Sequence, residues 1–84
     1  MYEILLEQAA ERDLKKLSSE MFNRIIPRIK ELAKNPKPQR SRKITGSKND
    51  WRIRVGTHRI IYEIDARAEI VRVMRIRHRK DVYR

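Results

Sequence analysis

The chain has 84 residues, with 22 Lys and Arg against 11 Asp and Glu, a formal net charge of +11. That length makes a single domain, residues 1–84, too small to enclose a large cofactor cavity. With no cysteine, disulfides, thiolate catalysis and cysteine-held zinc or iron–sulfur groups are excluded.

The opening residues Tyr2, Ile4 and Leu6 alternate at period two and predict a short strand. Ala10, Leu14 and Leu17 then follow at helical spacing. Ser18-Ser19 offers a break and an N-cap for a second helix, whose stripe is Phe22, Ile25, Ile29 and Leu32. Pro27 inside that stripe predicts a kink, or the first turn of a shorter helix. Asn35-Pro36 ends it, because a residue before proline avoids the helical region.

Residues 37–50 are polar and read as a loop with one short strand near Ile44. Trp51, Ile53 and Val55 alternate with Arg52 and Arg54, predicting a strand with an apolar and a basic face. After a Gly56-Thr57 turn, Ile60, Tyr62 and Ile64 face inward and Arg59 outward. Residues 65–69 connect to a last strand, Ile70 to Ile76, whose apolar phase shifts between Val73 and Met74 and predicts either a bulge or cover on both faces. The order predicts an α+β fold: a strand, an antiparallel pair of helices, then a three- to four-stranded antiparallel sheet.

Charge is uneven along this plan. Residues 1–36 are near neutral, whereas residues 37–84 hold 15 Lys and Arg against 5 Asp and Glu. The second part therefore carries the field that attracts a polyanion. Neighbouring strands would bring Arg52, Arg54, Arg59, Arg75, Arg77, Arg79, His78 and Tyr83 to one basic concave surface. Guanidinium forks match phosphate oxygens, and His and Tyr move protons or stack on bases. Such a surface suits attack of an RNA 2′-hydroxyl on its neighbouring phosphate, with cations stabilising the added charge. No metal or other cofactor is expected, since the carboxylates are scattered. On pattern alone, alternating arginine is most often the solvated face of a sheet, and an arginine-rich tail reads equally as a nonspecific binding arm.

Several stretches carry the reading further: Tyr2-x-Ile4, Leu14-x-x-Leu17, Ile29-x-x-Leu32-x-x-Asn35-Pro36, Lys43-Ile44-x-Gly46, Trp51 through Tyr62, and His78-Arg79-Lys80-Asp81-Val82-Tyr83-Arg84. In this order they resemble the RelE/ParE toxin superfamily, specifically its RelE-type ribosome-dependent mRNA interferases. The resemblance implies a toxin that cleaves mRNA in the ribosomal A site without metal. It implies neutralisation by a cognate antitoxin, with operator DNA bound only through the antitoxin complex. It places Arg52, Arg54, Arg59, Arg79 and Tyr83 in the catalytic set, with Lys43, His58, Arg77 and His78 as substrate contacts. Arg52 and Arg54 stand where the family often has lysine, and arginine does not readily give up a proton. The general base is left open between His78, Tyr83 and none. Two alignments of the tail, two residues apart, exchange the roles of Arg77 and Arg79. The competing readings are a non-enzymatic ParE-type gyrase inhibitor and a plain nucleic-acid-binding module. The absence of a long apolar run and of disulfides leads to the expectation of a cytoplasmic protein with no membrane partner.

Overall fold

The computed structural model describes residues 1–81. Strand β1 (Glu3–Leu6) leads into helices α1 (Gln8–Lys15) and α2 (Ser19–Glu31). Four strands follow: β2 (Arg42–Lys43), β3 (Asp50–Val55), β4 (His58–Asp65) and β5 (Ile70–His78), then a 3-10 turn, Arg79–Asp81. They form one five-stranded sheet in the order β1-β5-β4-β3-β2. The run from β2 to β5 is antiparallel, as the alternation predicts. Strand β1 joins the same sheet parallel to β5, with Glu3 opposite Ile70 and Leu6 opposite Val73. The sheet is therefore mixed, with the last strand in its interior.

One sheet face is dry. Ile53, Val55, Ile60, Tyr62, Ile64, Val71, Val73 and Ile76 are buried there against Ala10 and Leu14 of α1 and Ile25 and Ile29 of α2, with Leu32 just beyond α2. Tyr2, Ile4, Leu17, Met21 and Trp51 pack at its margin. The predicted bulge falls where the phase shifts: Ile61 pairs with Arg75 but Tyr62 pairs with Val73, leaving Met74 as the extra residue. The slip keeps both Val73 and Ile76 on the buried face although they are three positions apart.

The helices follow their sequence signals with two differences. Ser18 caps α2 as expected, its hydroxyl accepting the Met21 N–H at 3.1 Å. The helix continues through Pro27 rather than restarting there. Pro27 and Asn23 are both exposed, so the carbonyl that loses its partner faces water. Phe22, expected in the buried stripe, is 39% exposed; Ile25, Ile29 and Leu32 carry the burial instead. At the β3–β4 turn Gly56 has φ +60, and an added Cβ would lie 3.0 Å from the Arg24 guanidinium. Only glycine meets both conditions.

Tyr62 fastens the chain leaving α2 onto this sheet. It is fully buried, and its hydroxyl donates to the Pro36 carbonyl at 2.7 Å. Ser41, buried next to this segment, donates to the Pro38 carbonyl at 2.7 Å. Burial pushes the Tyr62 phenol up to about 12, outweighing the hydrogen bond with Ser41 that lowers it. The folded chain thus holds this proton more tightly than the unfolded chain, whose tyrosine titrates near pH ~10. Its contribution is complete below that pH and is lost as pH rises through the folded value. Tyr62→Phe should cost about 1–2 kcal/mol at neutral pH, by stranding the Pro36 carbonyl. In urea titrations the gap between wild type and variant should close as pH rises from about 10 toward 12.

Candidate functional site

The other face of the sheet carries the arginines. Strand alternation sends Arg52 and Arg54 of β3 away from the core, and register aligns them with their neighbours. Arg54 lies opposite Arg59, and Arg59 lies opposite Arg77, making a row of three guanidinium side chains across β3, β4 and β5. The next row runs Arg42, Arg52, Ile61, Arg75. The third begins Asp50, Glu63, Arg72, where Arg72 donates to Glu63 at 2.7 Å. Like charges placed directly opposite each other oppose folding, so the first row is a local conflict held in place by the buried face beneath it.

Two adjoining cavities open on this surface. One, of about 400 Å³, is lined by Lys43, Ile44, Thr45, Arg52, Arg59, Ile61 and Arg77. The other, of about 610 Å³, is lined by Gln39, Arg40, Arg42, Arg52 and Arg54. Arg52 stands between them. The smaller has cationic walls and an apolar floor at Ile61, a lining that takes a phosphate on the walls and a base or sugar on the floor. Arg59 faces away from the core as the alternation predicts, yet it is only 8% exposed. Its cross-strand neighbours are Arg54 and Arg77, and its side chain is withdrawn from most of the solvent.

The other predicted site residues divide. Lys43, Arg52, Arg54, Arg59 and Arg77 gather at the two cavities. His58 and His78 do not face them: they lie opposite each other and next to Val55, on the helix side of the sheet. Their rings meet edge to face at 5.0 Å. The bulge causes this, because it sets Ile76 and His78 inward and Arg77 outward. Nδ1 of His78 accepts the Lys80 N–H at 3.1 Å, within the turn that ends β5. Arg79 is exposed in that turn, and its backbone N–H donates to the Thr57 carbonyl at 2.7 Å. Of the two arginines that the tail alignments exchange, Arg77 lines the cleft and Arg79 does not. Tyr83 lies outside the described residues. Among the described residues no group of three or more histidine or carboxylate side chains could hold a metal ion.

Sequence reasoning missed Asp13. It extends from α1 past the end of β1 and accepts from the Ile76 N–H at 2.9 Å and from Arg75 at 2.9 and 3.2 Å. It thereby substitutes for the missing strand at the free edge of β5. Burial raises the Asp13 pKa, but hydrogen bonds from Arg75 and Ile76 and the charges of Arg75 and Arg77 outweigh it, leaving a net lowering. The signal was in the sequence: Ala10, Asp13, Leu14 and Leu17 share one helical stripe, with a carboxylate where an apolar residue belongs.

A family model for the ParE toxin of type II toxin–antitoxin systems matches residues 4–83. The chain belongs to this family, within the RelE/ParE superfamily. No curated protein matches it in sequence. Among solved structures, a chain of the RelB–RelE antitoxin–toxin complex of Methanococcus jannaschii has a TM-score of 0.79 at 29% identity, over 94% of both chains. A chain of the RelBE2 toxin–antitoxin complex of Mycobacterium tuberculosis gives 0.81 at 24%, over 92% of this chain and 96% of that one. The isolated E. coli RelE toxin gives 0.82 at 18%, over 93% and 84%. The fold is therefore the RelE-like one that the sequence resemblance implied.

Two substitutions probe this surface. Asp13→Ala should cost about 1–3 kcal/mol by leaving the Ile76 N–H and Arg75 without their acceptor. Because the folded-state pKa is lowered, that contribution is complete above about pH 4 and is lost as pH falls through the folded value. Wild type and variant should thus converge in acid urea titrations. Arg54→Thr should raise stability by about 0.2–1 kcal/mol by relieving cross-strand repulsion. That gain should shrink in high salt, which screens exposed charges.

Proposed function

We propose that this toxin is a ribosome-dependent endoribonuclease that cleaves mRNA in the ribosomal A site and so stops translation. The observation that carries the reading is the largely buried Arg59, flanked across the strands by Arg54 and Arg77, in a cleft it shares with the apolar Ile61. Attack of a 2′-oxygen on the adjacent phosphorus puts an extra negative charge on the phosphoryl oxygens. The P–O5′ bond then breaks, leaving a 2′,3′-cyclic phosphate and a 5′-hydroxyl. Preorganised cations at those oxygens lower the barrier without having to reorganise. Arginine holds its proton throughout, so Arg52, Arg54, Arg59 and Arg77 serve as charge stabilisers and not as the base. His78 faces the other side of the sheet, which leaves Tyr83 or the ribosomal environment to move the proton.

The cleft is open and shallow, so it supplies charge but little orientation. A ribosome that holds the message taut supplies the rest, a use of proximity. On this reading the toxin acts in the cytoplasm. The basic face of the free toxin also calls for a cover: a cognate antitoxin with an acidic or amphipathic segment that orders on binding. Several solved structures similar to this chain are toxin–antitoxin complexes. Operator DNA would be bound only through that complex. The ParE family match supports a second reading, a gyrase inhibitor with no chemistry of its own.

Primer extension separates them. Wild-type protein should cut a message during translation and leave the same naked RNA nearly intact. Arg59→Ala should slow cutting by about tenfold to a thousandfold, the scale of losing one such donor. Inhibition of gyrase supercoiling with no cut in the message would overturn the nuclease reading.

A further inference from the structure

A further basic cavity lies around the edge of the sheet from the arginine cleft. It measures about 360 Å³ and is walled by Trp51 and Ile64, with Lys37, Lys43, Lys48 and Arg67 around it. Asp65 is its one carboxylate. Among the described residues none of these four cations makes an ion pair. The Lys37 ammonium sits 5.0 Å from the centre of the Trp51 ring. A π-face that attracts a cation in this way also accepts a stacked base. Lys43 lines both this cavity and the arginine cleft, so one basic track joins them across β2.

We propose that this cavity is a second RNA subsite, in which an unpaired base stacks on Trp51 while Lys37, Lys48 and Arg67 hold the flanking phosphates. The strand seated in the arginine cleft crosses β2 along Lys43 and reaches Trp51. This rests on the reading of the cleft as an RNA site. The chemistry favours RNA over an acidic protein: an aromatic and aliphatic wall beside a ring of cations fits a base and its phosphates together. On binding, the Lys37 ammonium gives up the ring to the base and turns to a phosphate.

Trp51 is the chain's only tryptophan, so its fluorescence reports the subsite directly. Full-length protein is titrated with a single-stranded RNA of about eight nucleotides, a length within the usual range for such grooves. Quenching is expected, because a base stacked on the indole perturbs its emission. The triple variant Lys37→Ala, Lys48→Ala, Arg67→Ala removes three exposed cations. It should weaken binding more than tenfold at low salt and reduce the slope of log K against log salt by about 2, at roughly 0.7 per phosphate contact. An unchanged slope in the triple variant, no quenching by the RNA, or equal quenching by RNA duplex or by polyglutamate would overturn the subsite. Loss of message cleavage with quenching intact would sink the nuclease reading alone; loss of quenching with cleavage intact would sink only the subsite.

Discussion

Every feature of the basic surface depends on the two-residue period of a strand locked by burial. The row Arg54, Arg59, Arg77 is offset by one position from the row Ile53, Ile60, Ile76. The isoleucines are at most 5% exposed. A slip of one residue would drive three guanidinium groups into the core and expose the isoleucines. No such register is tolerable. Hydrophobic burial on one face therefore holds together charges that would otherwise separate on the other.

This coupling explains what was legible in the sequence. Alternation between Trp51 and Ile64 gave both faces of β3 and β4, and the phase shift after Val73 gave the bulge. The cap at Ser18 and the stop at Asn35-Pro36 are local chemistry and could be read locally. What could not be read was long-range. Nothing in Glu3–Leu6 says that it will pair with β5, because parallel pairing leaves no turn signature. Burial of Arg59 arises from neighbours on two other strands. The two histidines alternate with arginines that are nearby in sequence, and only the exact phase after the bulge decides which face they take. Asp13 was visible as a flaw in a helical stripe, but its partner on β5 was not.

The site was legible by residue type more than by arrangement. Arg52, Arg54, Arg59, Arg77 and Lys43 do converge, whereas His58 and His78 form a separate pair at the end of the sheet. The separation changes the chemistry available: the cleft among the described residues is rich in fixed charge and holds no side chain that titrates near neutrality. A cleft of that kind stabilises anionic transition states well and distinguishes poorly among anions. Selectivity must then come from what delivers the anion and from contacts beyond the cleft. The family assignment agrees with this division, since one fold can present a charged face to different targets.

The place of β5 has a consequence for synthesis. It lies between β1 and β4, so it is central to the sheet, yet it is the last strand to leave the ribosome. Until it emerges, β1 has no partner, Asp13 has no edge to cap, and the row that begins at Arg54 and Arg59 lacks its third member. Closure of the sheet joins segments nearly a full chain apart, the kind of contact that forms late. The nascent chain therefore cannot assemble its charged cleft while most of it is still being made. By its own topology, the basic face is incomplete until the strand that carries Arg77 has been made.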